Sequence, residues 1–161
     1  MKHAMHQACL LVGSNIEPTK NIPLAVSLLQ SYMTILKTSS VWETEAVGSD
    51  GANFLNVALL VTTSMEVGIL KEQVLHPLET RLERVRTSDK NAPRTIDLDI
   101  LLFDQQLLEP NLWRYAHCAV PVAEILPEYQ SDTGEYLKDA ALRLARSTSI
   151  LMRMDIPVRV S

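Results

Sequence analysis

The chain has 161 residues, 47% apolar and 21% charged, which is enough hydrophobic mass for one core and excludes a disordered chain. A formal charge of −4 argues against a general nucleic-acid binder, and the five glycines form no GxxxxGK or GxGxxG loop to cradle phosphate. No apolar run approaches the ~18 residues of a membrane span, and Cys9 and Cys118 have no framework spacing, so a cytoplasmic chain with two reduced, inert thiols is expected.

Residues 8–12 are an apolar run closed by Gly13-Ser14-Asn15, the pattern of a buried strand ending in a turn. From Asn21 onward apolar residues fall at 22, 25, 26, 29, 33 and 36, which predicts an amphipathic helix over residues 21–36 with Asn21 as its cap. Residues 38–44 are rich in β-branched and aromatic side chains and predict a strand. Residues 47–51 form a loop, and 54–63 a further strand. A second helix starts near Ser64, with Val67, Leu70, Val74, Leu78, Leu82 and Val85 at helical spacing and a kink or break expected at Pro77. Residues 86–93 are a loop, and 94–103 alternate as a strand. Beyond them 139–146 predict a helix and 156–160 a last strand.

The order strand, helix, strand, strand, helix, strand predicts a ferredoxin-like α+β sandwich. In it helices pack on one face of an antiparallel sheet, with a C-terminal helix added, all in a single domain over residues 1–161.

The chemistry concentrates in Pro93-Arg94-Thr95-Ile96-Asp97-Leu98-Asp99-Ile100-Leu101-Leu102-Phe103. Residues two apart on a strand share a face, so Asp97 and Asp99 point together, with Leu101 and Phe103 continuing that face as apolar. Two carboxylates at that spacing suit Mg²⁺, a hard cation that leaves positions for phosphate oxygens. The plain alternative is a polar strand face meeting water, and Arg94 competes with a metal as the partner of the carboxylates. Between Arg81 and Arg94 five cations (with Arg84, Arg86 and Lys90) face only Glu83 and Asp89, a basic island suited to a small anionic ligand. His3, His6, His76 and His117 belong to no nucleophilic triad, and His76 has the setting of a helix-surface residue.

Gly13-Ser14-Asn15, Trp42-Glu43-Thr44-Glu45-Ala46-Val47-Gly48, Phe54-Leu55-Asn56 and Pro93 to Phe103 occur in this order. Together they resemble the 6-hydroxymethyl-7,8-dihydropterin pyrophosphokinases of folate biosynthesis over about residues 8–127, with a weaker echo in 121–127. The resemblance implies transfer of pyrophosphate from ATP to the pterin hydroxymethyl group with release of AMP. It implies that Asp97 and Asp99 hold two Mg²⁺, that Arg84, Arg94 and Asp97 are catalytic, and that Glu79, Arg84, Arg86, Arg94, Ile100 and His117 serve ATP. Thr44, Ala46, Val47, Phe54 and Asn56 would line the pterin pocket. ATP and a reduced pterin are the implied partners, with no nucleic acid and no membrane, in a monomer or weak homodimer.

Three departures from the family pattern stand out. Residues 88–92 carry no aromatic side chain, and Pro77 interrupts a helix. The segment after His117 is too short for the family's arginine and second stacking ring, a gap that Trp113 or Tyr115 is placed to fill. A non-catalytic or substrate-drifted relative that binds nucleotide or pterin is the alternative reading. An RNA-binding ferredoxin-like module is the remote one, opposed by the acidic charge and the missing basic-aromatic run.

Overall fold

The structure, a computed structural model, describes residues 4–45, 52–84, 94–158 and 160. Strand β1 (His6–Ser14) lies at the centre of a seven-stranded sheet, antiparallel to β4 (Phe54–Thr63) on one side and to β5 (Asp97–Phe103) on the other. Strand β3 (Val41–Thr44) and the short β2 (Thr34–Thr38) pair successive halves of β4, β7 (Ile150–Arg153) extends the sheet beyond β3, and the two-residue β6 (Gln106–Leu107) caps the end of β5. The order β5-β1-β4-β3 is the ferredoxin-like arrangement expected.

Alternation along β1 divides two cores. Ala8, Leu10 and Val12 face α1 (Pro18–Leu29) and the helical run α2 (Val67–Leu70), a π turn (Lys71–Leu75) and α3 (His76–Arg81). Cys9 and Leu11 face the opposite layer, α4 (Ala116–Ile125) and α5 (Leu137–Ala145). The sequence predicts only a single C-terminal helix beyond the ferredoxin-like unit; the chain builds two, and they roof the second face. Cys9 and Cys118 are both free and buried, and burial pushes the Cys9 thiol up to about 12, so they are packing residues as expected.

Several predicted boundaries are corrected. The helix over 21–36 ends at Leu29 and starts at Pro18, with Glu17 in the left-handed region (φ 43°) in the cap position. Asn21 lies inside the helix, where its Nδ2 donates to the Ile16 carbonyl at 2.7 Å. Ile35 is buried on the sheet, whereas Leu36, which continues the helical period, is 48% exposed. The strand over 38–44 is split: Ser39 hydrogen-bonds Ala58 through both backbone and hydroxyl and separates β2 from β3. Helix 64–85 runs from Val67 to Arg81, and the expected break at Pro77 takes the form of the π turn before it. The strand over 94–103 begins at Asp97. Among the described residues the last strand is Ile150–Arg153 rather than 156–160, while Ile156 is buried in the same core that α1 enters. No helix among the described residues is long and apolar enough to cross a membrane.

Candidate active site

The cleft floor is one row of residues across the sheet. Asp97 on β5 pairs with Gly13 on β1, Gly13 with Asn56 on β4, and Asn56 with Trp42 on β3. Directly paired residues share a face, so these side chains all project toward the α4 layer. The adjoining row holds Asp99, Leu11 and Ala58, and Phe54 pairs with Thr44 at the far end. As predicted, Asp97, Asp99 and Leu101 share this face. Phe103 does not: a bulge between Cys9 and Leu10 shifts the register, and Phe103 joins the opposite core.

Gly13 is needed here for space. A Cβ would lie 2.5 Å from Asn56 Oδ1, so the bare backbone lets the amide lie flat across β1. Asn56 is buried, and its Nδ2 has no hydrogen-bond partner. An unsatisfied buried donor facing a cleft is expensive unless a ligand supplies the acceptor. Ser14 closes the turn through its hydroxyl on the Ile16 carbonyl, and Asn15 grips Arg94 twice. Its backbone N–H donates to the Arg94 carbonyl at 3.1 Å, and its Oδ1 accepts the Arg94 N–H at 2.7 Å.

Two arginines converge on Asp97. Arg94 Nη1 donates to Oδ2 at 3.1 Å and Arg84 Nη1 to Oδ1 at 3.0 Å. Arg84 is delivered by the way α3 ends. Glu83 adopts a left-handed conformation (φ 66°), and its N–H and that of Arg84 return to the carbonyls of Thr80 and Glu79. Glu79, 2% exposed, also binds the Arg84 guanidinium and accepts the Leu98 N–H at 3.0 Å. It therefore sits behind the cleft wall, joining α3, Arg84 and β5. The Arg94 guanidinium lies over Phe54, 5.6 Å from the ring centroid.

Asp99 opens onto the cleft, and among the described residues no arginine is paired with it. Withdrawal from bulk water, together with the carboxylates of Asp97, Glu79 and Glu109, pushes its carboxyl up to about 8. Burial holds the His117 imidazole below its usual value, against the pull of Asp97. The crowded carboxylate pair fits a hard dication, which would take the place of the proton that Asp99 otherwise retains. Among the described residues no group of three His, Cys, Asp or Glu side chains is poised for a metal, so two carboxylates would leave the other positions to water and phosphate oxygens.

These residues line a cleft of about 680 Å³. It gathers Thr44, Phe54, Asn56, Arg84, Arg94, Asp97, Asp99, Ile100 and His117 from the predicted set, with Glu79 just behind its wall. Ala46, Val47 and Arg86, and the loop at 88–92, lie outside the described residues. Of the two rings placed to fill the gap after His117, Tyr115 lines the cleft and stacks on His117 at 5.4 Å, whereas Trp113 packs with Tyr129 in the α4–α5 core. Sequence reasoning missed Lys71, His76, Glu109, Asn111 and the anchoring role of Asn15. His76 is an exposed helix residue, as expected, and it also lines the cleft. Asn15 was visible within Gly13-Ser14-Asn15, but its partner lies 79 residues away.

Comparison with known proteins agrees with this architecture. A sequence model of the 7,8-dihydro-6-hydroxymethylpterin-pyrophosphokinase (HPPK) family matches residues 9–127. The chain is 34% identical over 137 residues to the 2-amino-4-hydroxy-6-hydroxymethyldihydropteridine pyrophosphokinase of Bacillus subtilis, covering 78% of this chain and 81% of that one. Its identity to the Campylobacter jejuni protein of the same name is 36% over 118 residues, 71% of each chain. The crystal structure of Plasmodium falciparum HPPK-DHPS wild type with pterin and p-hydroxybenzoate superimposes with a TM-score of 0.68. At 12% identity that likeness is one of fold, and it covers 91% of this chain but 44% of the longer one.

Proposed function

This chain belongs to the 7,8-dihydro-6-hydroxymethylpterin-pyrophosphokinase family, and from that premise we propose that it transfers pyrophosphate from ATP to the hydroxymethyl group of 6-hydroxymethyl-7,8-dihydropterin and releases AMP. The observation that carries this reading is the row Asp97–Gly13–Asn56, in which a charged centre and an unsatisfied amide share one cleft floor.

At one end Asn56 offers its free Nδ2 to a heterocycle edge, with Phe54 and Thr44 beside it. Phe54 supplies a flat apolar face for a bicyclic ring. At the centre Arg84 and Arg94, held by Glu79 and Asn15, stabilise charge developing on the transferred phosphates. Asp97 lies nearest the hydroxymethyl oxygen that attacks the β-phosphorus. At the other end Leu98 directs its N–H away from β1, to Glu79, so Ile100, two residues on, presents its backbone groups outward along the same edge. That edge is where a nucleotide base meets the chain. Asp97 and Asp99 would hold two Mg²⁺, which when bound neutralise phosphate oxygens and orient the polyphosphate.

The test is product analysis with MgATP and the reduced hydroxymethylpterin, separating AMP from ADP. Pterin-dependent AMP is expected. ADP, or ATP binding without product, would overturn the reading.

A further inference from the structure

The C-terminal strand β7 lines no part of the cleft, yet one of its side chains reaches the underside of the cleft floor. Strand β7 pairs with β3, Arg153 opposite Val41 and Leu151 opposite Glu43, so Arg153 and Glu43 lie on one face of the sheet. That face is turned away from the cleft, because Val41 and Leu55, the partner of Glu43 on β4, are buried in the α1 core. Past Arg153 the chain turns, and Ile156 is buried in that same core, which anchors the end of the strand. Asp155 accepts from Nε and Nη2 of the Arg153 guanidinium at 2.8 and 2.7 Å, and this fork aims Nη1 at Glu43 Oε1. The second oxygen of Glu43 accepts from Asn53, whose Nδ2 donates to Oε2 at 3.0 Å. Asp155, Arg153, Glu43 and Asn53 thus form one connected chain from the C-terminal turn to the start of β4.

We propose that the Glu43–Arg153 pair is a positioning device for the pterin end of the cleft, a role that rests on the pyrophosphokinase reading. Thr44–Phe54 is the last described rung of the β3–β4 ladder, and Glu43 and Asn53 are the residues just before its two members. The end of a ladder is where strands fray first. The diagonal bond from Asn53 to Glu43 crosses the underside of that rung and ties its two strands together. On the cleft side the Phe54 ring meets the Arg94 guanidinium, so the ring is set from above by the charged centre and from below by the clamp. An isolated half-buried ion pair contributes little, whereas a network built on a bidentate arginine fork holds its members in one geometry. Asn56, two residues further along β4, is flanked by Gly13 and Trp42 and keeps its place without the clamp. Asp97 lies beyond Gly13 on β5, further still from Arg153 across the sheet. The clamp therefore governs the binding of the pterin and not that of ATP.

Titration calorimetry on the whole chain tests this with 6-hydroxymethyl-7,8-dihydropterin and, separately, MgATP, at a temperature well below the melting point of every variant. Arg153→Ala and Glu43→Gln each weaken the pterin about tenfold, the scale of one lost contact to the ligand, and leave MgATP affinity unchanged. In steady-state assays the same variants raise the KM for the pterin and keep kcat at saturating pterin. Asp155→Asn, which leaves Arg153 charged but loosens its fork, shows a smaller loss in the same direction. Because the two residues act in one chain, the double variant Glu43→Gln/Arg153→Ala binds the pterin no worse than Arg153→Ala alone. Wild-type pterin affinity in both single variants overturns the proposal. So does an equal loss for MgATP, which marks a general loosening of the fold, and so do losses that add in the double variant. If the wild-type protein binds the pterin but forms no AMP, the pyrophosphokinase reading fails while the same titrations still decide the clamp. If it binds no pterin, both fail.

Discussion

The amide oxygen of Asn56 occupies the space in which a side chain at position 13 would begin, 2.5 Å from where a Gly13 Cβ would lie. Two pieces of the sequence that look unrelated, the Gly-Ser-Asn turn and the Phe-Leu-Asn strand start, thus form one device. Gly13→Ala forces the obstructing atom aside, and that atom is the end of a rotatable side chain rather than backbone. Stability should fall by only about 1 kcal/mol, the low end for overpacking. Pterin affinity should fall about tenfold, because the displaced amide no longer faces the ligand. A melt and a pterin titration of the same variant separate the two effects; wild-type affinity would show that Asn56 does not read the pterin.

Glu79 is the buried joint of the site, and its removal should be felt in the fold as well as in catalysis. Glu79→Ala leaves the Leu98 N–H without its acceptor and Arg84 without its buried partner, which costs about 3–5 kcal/mol. Glu79→Gln keeps an acceptor for Leu98 and loses only the charge, so its destabilisation should be distinctly smaller. Urea unfolding of both variants provides the check, with AMP formation reduced in each because Arg84 loses its orientation.

The sequence made strand β4 legible to the residue, because Phe54 to Thr63 is a continuous run rich in β-branched and apolar side chains. It misjudged α1 because Met33 and Leu36 happen to continue the helical period, although Ile35 and the β-branched Thr34 belong to the sheet. Within the site, Asp97 and Arg94 are visible from a strand with two acidic residues on one face. Lys71 and His76 are not, because a periodicity of 3.6 places them on different sides, and only the π turn aligns them. Strict alternation puts Phe103 on the Asp face, and the bulge, one extra residue in the strand, turns it to the other.

Asp99 trades stability for function. Withdrawal from water chiefly, and then the carboxylates of Asp97, Glu79 and Glu109, push its carboxyl up to about 8. Below about pH 8 the metal-free carboxyl keeps its proton and above it the buried charge is unfavourable, so without divalent metal Asp99→Asn, neutral at every pH, should melt no lower than wild type. Activity should nonetheless fall about a hundredfold or more, the scale of losing one electrostatic group at a charged transition state. Mg²⁺ titrations of the reaction rate test the link: the variant should need more metal, and an unchanged Mg²⁺ dependence would remove Asp99 from the metal site.

His6 fastens the end of the sheet remote from the cleft and should give the fold a pH dependence that catalysis does not share. Its Nδ1 lies 2.6 Å from Asp104 Oδ2, its Nε2 3.3 Å from Glu66 Oε1, and its ring 5.0 Å from that of Phe103. The hydrogen bond to Asp104 chiefly, with the charges of Asp104 and Glu66, raises the imidazole above its ordinary 6.5, against a smaller opposing effect of burial. A histidine raised on folding contributes stability that is fully present below 6.5 and is lost as pH rises through the folded value. Asp104 behaves in the opposite sense. It is held below its ordinary 3.8 by His6 and by the Gln7 N–H, so its contribution disappears only under strong acid. Melting temperature should therefore decline from about pH 6.5 upward in the wild type, and that decline should be shallower in His6→Gln. His6 and Gly13 are seven residues apart on one strand, about 24 Å at 3.4 Å per residue, so His6→Gln should leave the rate at saturating ATP and pterin unchanged. Equal slopes for the two proteins would show that the clamp carries no stability. A lowered rate in the variant would show that the far end of β1 reaches the cleft.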